Sequence, residues 1–135
     1  MTKHVYLFEC DSKWLEPLKA TFLPWHDKVS IIEKYISDKT DESNLKIDDF
    51  LSDKNTENLF LKMDIEGAEK SALAGASETL KKAKDIQLAI CTYHVKDDPE
   101  SISKLMTSFG YSYEFSDGLM YWGRKLSKGL IRCFK

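Results

Sequence analysis

The chain has 135 residues, 42% of them hydrophobic and 31% charged, which suffices for one buried core and reads as a single domain over 1–135. Its formal net charge of -2 and pI of about 5.9 offer no basic face to a nucleic-acid backbone or an anionic membrane, so neither is expected as a partner. Apolar runs such as "LFL" and "IQLAI" are far shorter than the roughly 20 residues of a membrane-spanning helix, and "MTKHVYLFECD" lacks a signal-peptide cleavage pattern, which leads us to expect a cytoplasmic protein.

In chain order, "HVYLFEC" (4–10) is apolar and β-rich and predicts a strand. "DSKWLEPLKATF" then spaces Trp14, Leu15, Leu18 and Phe22 for a helix, with Asp11 or Ser12 as cap and Pro17 disturbing its start. "KVSIIEKYIS" (28–37) predicts the second strand, "DKTDESN" a polar loop with little to bury, and "LKIDDFLSDKN" a short connecting helix. "NLFLKMDI" (58–65) is apolar enough to predict a third strand covered on both faces. Ala68, Ala72, Leu73, Ala76, Leu80 and Ala83 follow as one stripe of a helix lying on a sheet.

"DIQLAICTY" (85–93) is the fourth strand, and "DDPESISKLMTSFG" a helix with Asp98 before Pro99 as cap, Gly110 as stop and Ile102, Leu105, Met106 and Phe109 inward. The tail alternates aromatic and polar residues around "SDG" and "SKG", as antiparallel strands joined by turns do. Strands separated by helices predict an α/β fold, mostly parallel, with an antiparallel C-terminal hairpin at its edge. Cys10, Cys91 and Cys133 are odd in number and show no C-x-x-C spacing, so they read as reduced, packed thiols rather than a disulfide or zinc framework.

The run "FLKMDIEGAEKSALAGA" resembles the strand-to-helix signature of the FkbM family of S-adenosylmethionine-dependent methyltransferases. "VYLFECD" is similar to that family's ribose-binding strand, and "YISDKTDE" to the segment beside its adenine. The resemblance covers roughly residues 4–115 and implies a Rossmann-like methyltransferase fold with helices on both faces of its sheet. It also implies S-adenosylmethionine as cofactor, with Glu9 at the ribose and Cys10 beside it, Ser37 and Asp38 near the adenine, and Asp64 at the site. The implied activity is methyl transfer to an oxygen of a small molecule or glycan.

The resemblance starts at the family's second strand, and no glycine lies before Gly67, so its glycine-rich first strand and loop have no counterpart here. The reading is of a truncated domain. Unpaired backbone groups beside a missing strand cost roughly 1 to 3 kcal/mol each if buried. Three remedies are open: the flanking strands pair directly, a partner chain supplies a strand, or the sequence is a fragment of a longer protein. Unpaired edges also favour homo-oligomers, and with them an alternative function as a non-catalytic α/β module acting through oligomerisation or partner binding.

Methyl transfer from a sulfonium is an in-line displacement that needs alignment and removal of a proton from the acceptor. Ligands of open α/β sheets gather at the carboxyl ends of strands, where Glu9, Asp64 and Cys91 to His94 arrive. Asp64 and His94 are therefore the candidate general bases, His94 because histidine is the side chain best suited to exchanging protons at physiological pH. Glu9 also reads as a carboxylate at a helix entry. Asp64, Glu66 and Glu69 crowd one glycine, Gly67, which a hard cation or a solvated helix start would explain; the spacing matches no known loop, and no metal site is assigned. Tyr93, Tyr121 and Trp122 line an acceptor pocket or pack in the core, Arg124, Lys125 and Lys128 form a solvated edge or an anion contact, and His4 and His26 receive no role.

Overall fold

The computed structural model describes residues 3–135. β1 (Val5–Phe8) and β2 (Val29–Ile32) run parallel, linked by α1 (Ser12–Phe22) and a 3-10 turn at Leu23–Trp25. Asp11 is the cap of α1, its side chain accepting from the Lys13 N–H at 2.9 Å, and Pro17 is tolerated inside the helix. The apolar stripe of α1 is only partly covered: Leu15, Leu18 and Phe22 are half-buried, no residue of the helix is fully buried, and Trp14 is 59% exposed.

The strand expected over 28–37 is two. Lys34 N–H turns back onto the Ile32 carbonyl, ending β2, and β3 (Tyr35–Ile36) pairs instead with β4 (Asn44–Leu45). Asp41 holds the loop between them by accepting from Ser43 and Asn44 and pairing with Lys39 at 2.8 Å. Those contacts, Lys39 first, hold the Asp41 carboxyl well below the usual carboxylate range. α2 (Ile47–Leu51) follows and packs Phe50 edge-on against Tyr6 and Phe8 of β1, both at 5.0 Å between ring centroids.

The second sheet has four strands in the order β5 (Phe60–Met63), β6 (Gln87–Cys91), β10 (Leu130–Phe134), β7 (Ser112–Phe115). β5 and β6 are parallel, and β10 is antiparallel to both its neighbours. The α/β expectation is met, but the last strand lies inside the sheet rather than in an edge hairpin. A separate hairpin joins β8 (Met120–Trp122) to β9 (Lys125–Ser127) through Gly123 and Arg124, both at positive φ, so its turn is "GR" and neither "SDG" nor "SKG".

The helix expected over 68–83 is broken into α3 (Glu69–Ala74) and α4 (Ser77–Lys82) while its stripe stays continuous: Ala72, Leu73, Ala76 and Leu80 are all fully buried. The break is a close approach. A Cβ on Gly75 would stand 2.0 Å from the Ser37 carbonyl oxygen, which glycine alone allows. Asp48 of α2 then caps α4, accepting from the Thr79 N–H at 2.8 Å and the Glu78 N–H at 3.1 Å. α5 (Asp98–Ser108) buries Ile102 and Met106 and stops at Gly110, φ +85. Its N-cap position is Asp97, not Asp98; the Asp98 carboxylate is buried and turned back to accept from the Val95 N–H.

The core is therefore lopsided. Leu73, Leu80, Ile86, Leu88, Ile90, Ile102, Met106 and Ile131 are completely or almost completely buried between α3, α4, α5 and the four-stranded sheet, each worth roughly 1.5 to 3 kcal/mol of hydrophobic burial. Among the described residues before Ile47, none is buried. β1 pairs only with β2, and β5 only with β6, among the described residues. Direct pairing of β1 with β5 is thus not how the fold closes, and β5 is not covered on both faces, Phe60 being 60% exposed. The cysteines are free thiols, Cys91 and Cys133 buried and Cys10 half-buried, with burial pushing Cys133 up to about 12.

Candidate active site

The parallel register of β5 and β6 sets Met63 beside Ile90, so the residues that follow, Asp64 and Cys91, leave the sheet side by side at its carboxyl end. Lys62 reaches across to them, its ammonium 3.1 Å from Cys91 Sγ and 3.8 Å from Asp64 Oδ2. Burial raises the Cys91 thiol above its ordinary value although Lys62 pulls the other way, so it stays protonated at neutral pH.

After Asp64 the chain makes a tight bend through Glu66 (φ +56) and Gly67 (φ +97) before α3 begins. Gly67 lies against the His94–Val95 segment, where an added Cβ would stand 3.2 Å from Val95 Cγ2. Glu66 adopts the left-handed region without being glycine, a strained conformation of the kind that clusters at functional sites. The bend delivers Glu69 into the interior with no exposure at all.

Glu69 organises what surrounds it. Its Oε1 accepts from the Ile65 N–H at 3.1 Å and lies 3.0 Å from His94 Nδ1, which joins the β5 loop to the β6 loop. Nδ1 is then the protonated ring nitrogen, assigned from this carboxylate contact, and Nε2 carries the lone pair. His94 Nε2 stands 3.5 Å from both Asp64 Oδ1 and Glu66 Oε2, in a side chain only 4% exposed. Tyr93 donates its hydroxyl to Asp64 Oδ1 at 3.1 Å, and its own pKa is pushed up to about 12 by burial and then by that carboxylate. Trp122 from the β8–β9 hairpin packs edge-on over both Tyr93 and His94, at 5.4 and 6.0 Å. The hairpin is pinned beside the site by buried Thr92, whose hydroxyl donates to the Lys128 carbonyl at 2.7 Å.

Beside this cluster opens a cleft of about 380 Å³ between Lys62, Asp64, Cys91 and Tyr93 on the strand side and Leu119 and Met120 on the tail. Asp64 and His94, predicted as bases, are thus brought together, Asp64 at the cleft wall and His94 buried behind it. Of the five residues assigned to the cofactor, Asp64 lines this cleft, and Glu9, Cys10, Ser37 and Asp38 do not. Glu9 ends β1 with Oε1 already accepting from the Cys10 and Asp11 N–H groups at 2.7 and 2.8 Å. Cys10 contacts Tyr35, whose phenol is pushed up by that neighbour. Ser37 packs its carbonyl on Gly75, and Asp38 is tied to α3 twice, its N–H donating to Ser71 Oγ at 3.2 Å and its Oδ1 accepting from that hydroxyl at 3.1 Å. The segment expected beside the adenine therefore touches the helix that carries Glu69.

Sequence reasoning placed Glu69 at a helix start and missed its burial and its hold on His94. The signal was there in the D-I-E-G-A-E run, which returns to an acidic residue just after the glycine bend. It also left Lys62 without a role. His4, which was given none, bonds Ser30 through Nε2 at 2.9 Å between β1 and β2.

A sequence profile of the methyltransferase FkbM domain matches residues 4–113. Among solved structures, that of methyltransferase FkbM from Methylobacillus flagellatus KT has a similar fold, with a TM-score of 0.77 at 24% identity. The match covers 98% of this chain and 36% of that one, so the chain spans little more than a third of that protein's length. No curated protein matches the sequence.

Proposed function

The chain belongs to the methyltransferase FkbM domain family, and from that premise we propose that it carries out S-adenosylmethionine-dependent methyl transfer to a hydroxyl of a small-molecule or glycan acceptor. The observation that carries the reading is the Glu69–His94–Asp64 arrangement: a buried carboxylate orients an imidazole whose free nitrogen faces a second carboxylate at the carboxyl end of adjacent parallel strands. A base held by a third group is the usual structural mark of assisted proton removal.

The residues present fit the ribose and adenine end of the cofactor. Backbone N–H groups hold Glu9 Oε1 and so fix the carboxylate's orientation, which leaves Oε2 to accept from vicinal hydroxyls. Ser37 and Asp38, anchored on α3, are suited to the base edge. When bound, S-adenosylmethionine supplies a methyl group on a positively charged sulfur, open to in-line attack by an oxygen nucleophile. The chain's own part is to bind and orient both reactants and to accept one proton. His94 Nε2 takes that proton from the acceptor hydroxyl, and Glu69 and Asp64 offset the imidazolium charge that results. Tyr93, protonated throughout the physiological range, keeps Asp64 oriented as a hydrogen-bond acceptor. Leu119 and Met120 line the acceptor side of the cleft with apolar surface.

Calorimetric titration of S-adenosylmethionine into the chain tests the proposal. Saturable binding is expected, weakened about 10- to 100-fold in Glu9→Gln, which gives up a charge-assisted hydrogen bond of roughly 1.5 to 3 kcal/mol. Absence of saturable binding would turn the reading to a non-catalytic member of the family.

A further inference from the structure

We infer that the cluster at the carboxyl ends of β5 and β6 is also a binding site for one divalent first-row metal ion, held by His94 Nε2 and Asp64 with Glu66 on the exposed side, while Glu69 fixes the imidazole from behind. One donor atom from each of Asp64, Glu69 and His94 lies within 4.8 Å of the other two. Acidic side chains near one another do not make such a site by themselves. Here, however, two atoms of the group, Glu69 Oε2 and His94 Nε2, are buried without any hydrogen-bond partner, in side chains 0% and 4% exposed. Buried polar atoms are ordinarily hydrogen-bonded, so the Nε2 lone pair, buried and facing Asp64 and Glu66, points to a ligand shared with those carboxylates.

Charge leads to the same conclusion. Asp64, Glu66 and Glu69 bring three carboxylates to one imidazole, and among the described residues the lysine or arginine paired with any of them is Lys62, 3.8 Å from Asp64 Oδ2. With Nδ1–H given to Glu69, the Nε2 lone pair points toward two carboxylate oxygens, each 3.5 Å away. Three electron-rich atoms facing one another repel unless something positive stands between them. The separation suits a metal: donors about 2.0 to 2.2 Å from an ion at tetrahedral angles lie about 3.5 Å apart. The Glu69–His94 contact is the carboxylate–histidine pairing that fixes a ligating imidazole. One imidazole among carboxylates favours Mn²⁺ or Zn²⁺ over Ca²⁺ or Mg²⁺.

The site goes beyond the proposed function: an ion on Nε2 occupies the lone pair that would take the acceptor's proton, so bound metal is expected to inhibit methyl transfer. Binding itself does not depend on methyl transfer and is read separately. Mn²⁺ is titrated into the purified, metal-stripped chain in the absence of S-adenosylmethionine and followed by the loss of its free-ion electron paramagnetic resonance signal. One ion per chain is expected, displaced by Zn²⁺, with affinity falling at least about 10-fold in Asp64→Asn and in His94→Gln. Asp64 is 46% exposed, so its amide variant tests the site without disturbing the interior. No saturable Mn²⁺ binding, or binding of equal strength in wild type and both variants, overturns the proposal and leaves a proton to balance the cluster. Cofactor titration on the same samples reports on cofactor binding independently.

Discussion

Glu69 is the residue on which most of the site depends. It is fully buried, and two groups from separate loops, the Ile65 N–H and His94 Nδ1, use the same oxygen. Glu69→Ala would strand both partners in the interior, each at about 1 to 3 kcal/mol, so the urea midpoint should fall by an amount equivalent to about 2 to 5 kcal/mol. A loss within error of zero would mean that the two loops hold each other without it. Tyr93 gives a second residue-scale expectation. Its phenol is raised from 10.0 to about 12 in the folded state, so the unfolded chain releases that proton first as pH rises. Stability contributed by the protonated phenol is therefore complete below pH 10 and is lost between about 10 and 12. Tyr93→Phe should make alkaline unfolding shallower over that window, measured by circular dichroism against pH. The sequence pointed to Asp64 and His94 because strand ends and histidines announce themselves locally. Glu69 did not, because what gives it meaning is a partner 25 positions away in another loop.

At the scale of elements, periodicity was read correctly and continuity was not. The stripe from Ala72 to Leu80 is as buried as a single helix would make it, so hydrophobic spacing carries no trace of the break at Gly75. The break comes from a carbonyl nearly forty residues upstream, that of Ser37, which local pattern cannot register. Gly75→Ala should cost about 1 to 3 kcal/mol, because backbone rather than a pliable side chain must give way. Asp48→Ala should cost about 0.5 to 2 kcal/mol through the lost cap of α4. Equilibrium denaturation of the two variants checks both figures, and an unaffected Gly75→Ala would contradict the close approach. The strand over 28–37 failed for a similar reason, since residues on both sides of Glu33 suit a strand and only the turn at Lys34 divides them.

For the whole molecule, the strand-to-helix alternation gave the α/β class, while the division of the sheet into two pieces was beyond pattern reading. Strand propensity says which residues extend but not which edges meet. The described residues before Ile47 have no buried member, whereas α3 to β10 hold the core, so the two parts should differ in protection. Hydrogen exchange is expected to open the amides of β1 and β2 well before those of β6 and β10, since local opening follows contact and burial. Uniform protection would contradict the lopsided core. Val5, Tyr6 and Phe60 also leave apolar surface on the two strands with unpaired edges, so association should grow with concentration. Phe60→Lys should reduce it, as read by sedimentation velocity.

The position of β10 between β6 and β7 bears on how the molecule is made. It is the last of the described strands in chain order, yet it supplies hydrogen bonds to both neighbours and buries Ile131 and Cys133 between them. Until residue 134 has cleared the ribosome, a nascent chain can display Leu88 and Ile90 on a strand that lacks one flank. Closure of this layer therefore waits for β10, and until then the apolar strand is a natural client for a holding chaperone.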